Sequence, residues 1–146
     1  MMRSLIAIAA LVAFVPAKAG APSGEVDGKG IICHSEESVT GEPEWYWFAQ
    51  KRVTQSYIEI YGTTAEVLLR DLGEYETTPT SVKWYASRSY ELDRKSLIYW
   101  FVDGNGLWGS ARCEIADTWE VLRDSIETFK IRRQQAIDEQ AKGNKI

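Results

Sequence analysis

The chain is poor in the side chains on which most catalytic and metal chemistry depends. Its 146 residues hold one histidine, His34, and two cysteines, Cys33 and Cys113. A lone imidazole leaves a zinc site short of ligands. A Ser-His-acid reading would rest on Ser35, Glu36 and Glu37, neighbours that point to alternate sides of an extended chain. A G-x-x-x-x-G-K-[ST] loop, a G-x-S-x-G elbow, an H-E-x-x-H helix and a paired C-x-x-C are all missing. No catalytic, cofactor-binding or metal-binding residue is assigned, and no cofactor and no enzymatic activity are expected.

Positive charge is also scarce, with 17 Lys and Arg against 21 Asp and Glu. Phosphate backbones are bound by clustered cations, so no nucleic-acid partner is expected. The apolar run Leu5 to Val15 is eleven residues, well short of the roughly 20 that span a bilayer. With Arg3 before it, Pro16 after it and small residues at Ala17 and Ala19, it has the plan of a signal peptide over residues 1–19. Cleavage fits after Ala19 or after Ala21. Loss of Arg3 and Lys18 would take the formal net charge from −4 to about −6, and the expected location is periplasmic or secreted. The remainder suits one domain.

In an oxidising compartment Cys33 and Cys113 read first as a disulfide. A metal site would need more ligands, and a reactive thiol would leave the other cysteine idle.

Residues 20–30, GAPSGEVDGKG, read as a flexible lead-in. Residues 31–116 are short β-branched and aromatic segments parted by turn signals, the pattern of an antiparallel β domain of about eight strands. Strands are expected at Ile31–Cys33, Trp45–Gln50, Val53–Tyr61, Ala65–Arg70, Ser81–Ser87, Ser89–Leu92, Ser96–Val102 and Leu107–Ile115. Residues 71–80 read as a loop with one short edge piece, since Pro79 cannot donate to a ladder. A bond between the first and last strands would bring the sheet ends together, which favours a small barrel or sandwich. Residues 117–142 change to helical period, with Asp117 and Glu120 as a capping pair and Trp119, Leu122, Ile126 and Phe129 as one apolar stripe. Beyond Ile131 the stripe thins, so the far half of the helix is expected to fray or project.

The six tryptophans and seven tyrosines carry the most functional information. In EPEWYWFAQ, strand alternation puts Trp45 and Trp47 on one face and Tyr46 and Phe48 on the other. A strand apolar on both sides needs cover on both: the barrel interior for one, the helix stripe or a bound partner for the other. The candidate binding surface is Trp45, Trp47, Tyr85 and Trp100. The acidic groups Asp71, Glu74, Glu76 and Glu36, Glu37, Glu42, Glu44 read as solvated loops, with a small hydrolase as the alternative use of paired carboxylates. Lys130, Arg132 and Arg133 read as a solubilising helix face.

The segments GKGIICH (28–34), YELDRKSLIYWF (90–101) and ARCEI (111–115), followed by a charged helix, resemble small exported bacterial proteins with a Y-x-L-x-R-x-[ST]-L strand-turn-strand and two cysteines. That resemblance implies export, a disulfide and a β fold. In size and stapling the chain also looks like periplasmic inhibitors of C-type lysozyme, although their S-A-S-G-x-R-Y-like loop is missing. The expected function is a non-catalytic binding or interaction module, inhibitor-like or envelope-associated. Its partner would be a protein or a small apolar or glycan-like ligand. A structural assembly role through the C-terminal helix is the other alternative.

Overall fold

A computed structural model describes residues 26–143. The proposed signal peptide and residues 20–25 of the lead-in lie outside them. The described chain is a closed antiparallel barrel in which every strand pairs with its sequence neighbours and the last returns to the first. The strands are β1 (Lys29–His34), β2 (Glu44–Ala49), β3 (Arg52–Tyr61), β4 (Thr64–Thr77), β5 (Ser81–Tyr85), β6 (Arg88–Asp93), β7 (Ile98–Asp103) and β8 (Trp108–Ala116). One helix, α1 (Trp119–Gly143), follows and packs on the barrel.

Alternation decides what enters the barrel. Ile31, Cys33, Tyr46, Phe48, Val82, Trp84, Tyr90, Leu92, Tyr99, Ala111 and Cys113 point inward and form the core. An eight-stranded barrel is just narrow enough for side chains to fill it, and here the filling is largely aromatic. The Trp84 and Tyr90 rings stack at 5.1 Å, and Phe48 meets Trp84 edge-on at 5.5 Å. Cys33 and Cys113 lie opposite each other on β1 and β8 with α-carbons 4.0 Å apart, and they are bonded. The disulfide thus fastens the seam where the barrel closes.

Residues 71–77, read as mostly loop, belong to β4. The register with β3 shifts at Val53/Thr54, and Gly73 sits opposite Val53 with φ of 94°. That irregularity bends one long strand so that its first part pairs with β3 and Tyr75 to Thr77 pair with β5. Pro79 is harmless because it falls in the turn beyond the strand.

The helix stripe works as the period predicts, with Leu122 and Ile126 buried and Trp119 and Phe129 packed beside them. Its cap differs: the Thr118 hydroxyl accepts from the Val121 N–H, while Asp117 pairs with Lys29 at 2.8 Å. The far half is also better held than its polarity implies. Gln134 accepts from the Ala65 N–H and donates to the Thr63 carbonyl, Arg133 meets Glu42 at 2.9 Å, and Ile137 packs into the helix-side core.

Residues 26–30 are tied down rather than free. Gly28 N–H donates to the Phe48 carbonyl, Val26 packs on the core, and Asp27 accepts from the Lys51 N–H and the Tyr75 hydroxyl. No helix among the described residues is long and apolar enough to cross a membrane.

Candidate functional site

The outer wall of the barrel is apolar in two places, and the helix covers one of them. Beneath α1 lie Ile32, Trp45, Ile58, Ala65 and Ala116, with Trp47 and Val67 at the margin. Trp45 is 1% exposed, donates its indole N–H to Ser125 at 3.0 Å, and meets Phe129 edge-on. Trp47 meets Trp119 at 5.5 Å. Gly30 lets the helix come this close: a β-carbon there would stand 3.0 Å from the Trp47 ring and 3.2 Å from Leu122. Trp45 is therefore withdrawn from the candidate surface and Trp47 is half covered. Their partner is the chain's own helix, which helps keep all of Trp45 and part of Trp47 from water; full burial of a large apolar side chain contributes about 1.5–3 kcal/mol.

The opposite wall, the outer face of β5 to β8, has no such cover among the described residues. Register sets its layout. Across the strands one row runs Glu76, Lys83, Glu91, Trp100, Ser110, and the next runs Tyr85, Ser89, Val102, Trp108. Tyr85 is 72% exposed, Trp108 73%, Trp100 41% and Val102 46%. Glu74, Tyr85, Glu91, Trp100 and Val102 line an open depression of about 530 Å³. Lys83 bridges to Glu91 at 3.3 Å, while Glu74 and Glu76 have no ion pair among the described residues. Two of the four expected surface residues, Tyr85 and Trp100, thus share one face.

Trp108 belongs to that face and was missed. It follows the Asp103–Gly106 turn, where it reads as the start of a strand rather than as a display position. The signal lay in the hairpin pairing that sets it beside Val102. Large exposed apolar groups in one contiguous set mark interaction sites more often than isolated ones do.

The acidic groups separate. Asp71 is held by Arg52 at 2.6 Å, which with the Gly73 N–H keeps its carboxyl below the usual range. Glu42 pairs with Arg133. Glu36 and Glu37 lie with exposed His34 in a different depression from Glu74 and Glu76. His34 itself stands 3.4 Å from Glu114.

Glu44 is the exception among residues read as solvated loop. It starts β2 in the inward series Glu44, Tyr46, Phe48, and it accepts hydrogen bonds from the Tyr46 hydroxyl at 3.2 Å and from the Tyr99 hydroxyl. Burial pushes its carboxyl up, opposed by the Tyr46 bond and the charge of Arg88. Burial and then the Glu44 charge push the Tyr46 hydroxyl well above its ordinary value. Arg88 lies over the Phe101 ring at 4.7 Å. Glu44 was read as the end of a loop; carrying the alternation of Tyr46 and Phe48 back two residues puts it on the inward face.

Among the described residues no group of His, Cys, Asp or Glu is placed to hold a metal ion. No family model, no curated protein and no solved structure matches the chain.

Proposed function

We propose that the protein is an exported, disulfide-stapled binding module of the cell envelope that acts without catalysis, through the outer face of β5 to β8. The carrying observation is the exposed set Tyr85, Trp100, Val102 and Trp108 on one wall, opposite the wall that the helix covers. Tryptophan and tyrosine give large, stiff contact area at low entropic cost and dominate binding energy where they are buried by a partner. Strands hydrogen-bonded on both sides hold these side chains in place, so little ordering is needed on binding. An inhibitor-like role fits such a surface, because a rigid face can block a partner without chemistry.

The test is capture of envelope components by the immobilised protein, compared with Trp100→Ala/Trp108→Ala. These side chains are exposed, so the double variant should keep its melting temperature within a few degrees while losing what the parent captures. Equal capture by the two proteins would refute this surface.

A further inference from the structure

The chemistry around the exposed aromatics narrows the class of partner. What that face would recognise rests on the binding role proposed above. The depression beside Tyr85 and Trp100 is edged by three carboxylates, Glu74, Glu76 and Glu91, against one ammonium, Lys83. Lys83 is already satisfied by Glu91 at 3.3 Å. Glu74 and Glu76 remain without an ion pair among the described residues, and both are exposed. Arg52 stands across from Glu74 and Lys83 across from Glu76, so the lining carries an excess of carboxylates rather than isolated ones; a strip of aromatic faces beside that excess attracts cations through the ring quadrupole, about 0.5–1 kcal/mol at exposed sites, and through Coulomb attraction. The chain's net negative charge adds long-range steering of the same sign.

We infer that this face docks a cationic protein, one that lays a lysine or arginine side chain into the depression lined by Glu74, Tyr85, Glu91 and Trp100 and an apolar residue on Val102 and Trp108. A second copy of this chain is disfavoured by the same charge, since its matching face repeats the three carboxylates. A neutral glycan could stack on the rings and donate its hydroxyls to the carboxylates, but it would gain nothing from the excess of negative charge.

The experiment is a titration of the full chain, isotope-labelled and followed by two-dimensional NMR at the tryptophan indole N–H signals, which reads affinities as weak as millimolar. The probes are capped tetra-arginine, capped tetra-glutamate and a chito-tetraose. The expected result is saturable movement of the Trp100 and Trp108 signals with tetra-arginine alone. That affinity should fall roughly tenfold in Glu74→Gln/Glu76→Gln and fall again as salt is raised from 50 to 300 mM, about the range over which exposed charges are screened. Equal movement with tetra-glutamate, or an unchanged affinity in the Gln variant, would overturn the inference. Saturation by chito-tetraose with no response to tetra-arginine would overturn the cationic partner while leaving the binding face intact. Silence of both indole signals toward all three probes would overturn the cationic partner, and equal capture by the Trp100→Ala/Trp108→Ala variant would separately remove the face itself.

Discussion

Removing the seam disulfide gives a loss that can be worked from the structure. Cys33 and Cys113 are 80 residues apart in sequence and face each other on the strands that close the barrel. For a loop of that length the chain-entropy model gives about 4.5 kcal/mol at 25 °C. A domain of this size is stable by about 5–15 kcal/mol in total, so the bond carries about a third or more of it. Reduction should leave the barrel itself in place, because β1 and β8 keep five register pairs whether or not the sulfurs are joined. The expected outcome in urea unfolding, followed by tryptophan fluorescence, is a native reduced protein whose midpoint falls by the equivalent of about 3–5 kcal/mol. The slope should rise slightly, because the uncrosslinked unfolded chain exposes more surface. Cys33→Ala/Cys113→Ala should match the reduced protein within about 1 kcal/mol, the difference reflecting the two lost sulfurs. A loss below 1 kcal/mol in both would refute the seam as the place where the bond acts.

Three further outcomes follow from the packing. Gly30→Ala puts a methyl against Trp47 and Leu122 and should cost about 1–3 kcal/mol of stability, read by urea unfolding; a change below 0.5 kcal/mol would mean that the helix sits less tightly than described. The β2–β3 turn puts Gln50 and Lys51 at φ of 51° and 60°, angles that suit Asn and Gly, so Gln50→Asn/Lys51→Gly should gain about 0.5–1.5 kcal/mol and raise the melting temperature; a lower one would contradict it. Because burial raises the Glu44 carboxyl above its ordinary value of 4.5, the folded state holds that proton longer than the unfolded state does. The contribution of Glu44 is then fully present below about pH 4.5 and declines as pH rises through the folded value. Glu44→Gln keeps an acceptor for Tyr46 and Tyr99, so it should remove that decline and be more stable than the parent at neutral pH; parallel stability curves for the two proteins from pH 4 to 8 would refute it.

Much of the architecture was legible in particular residues. Alternation in Val82, Trp84 and Ala86 against Lys83 and Tyr85 assigned the two faces of β5 correctly, and the spacing of Trp119, Leu122, Ile126 and Phe129 assigned the docking stripe. The continuation of β4 through residues 71–77 was hidden by polar composition, because a strand bent at Gly73 needs no unbroken apolar pattern. The docking of the far helix was hidden for a similar reason, since Gln134 and Arg133 hold it by polar contacts that periodicity does not weigh.

Local chemistry by itself determined the number of strands, the apolar stripe of the helix and the pairing of the two cysteines, because each rests on near-neighbour spacing or on a pair with no competitor. It could also say that the aromatics of β2 must be covered on two faces. Which wall of the barrel the helix would choose depended on where the backbone allows close approach. Gly30 leaves room there for Trp47 and Leu122, residues distant in sequence that come together only in the folded chain. With Trp45 spent on the helix, Trp108 and Trp100 stand on the wall left over. Only the tertiary structure decided that these were the tryptophans to be shown.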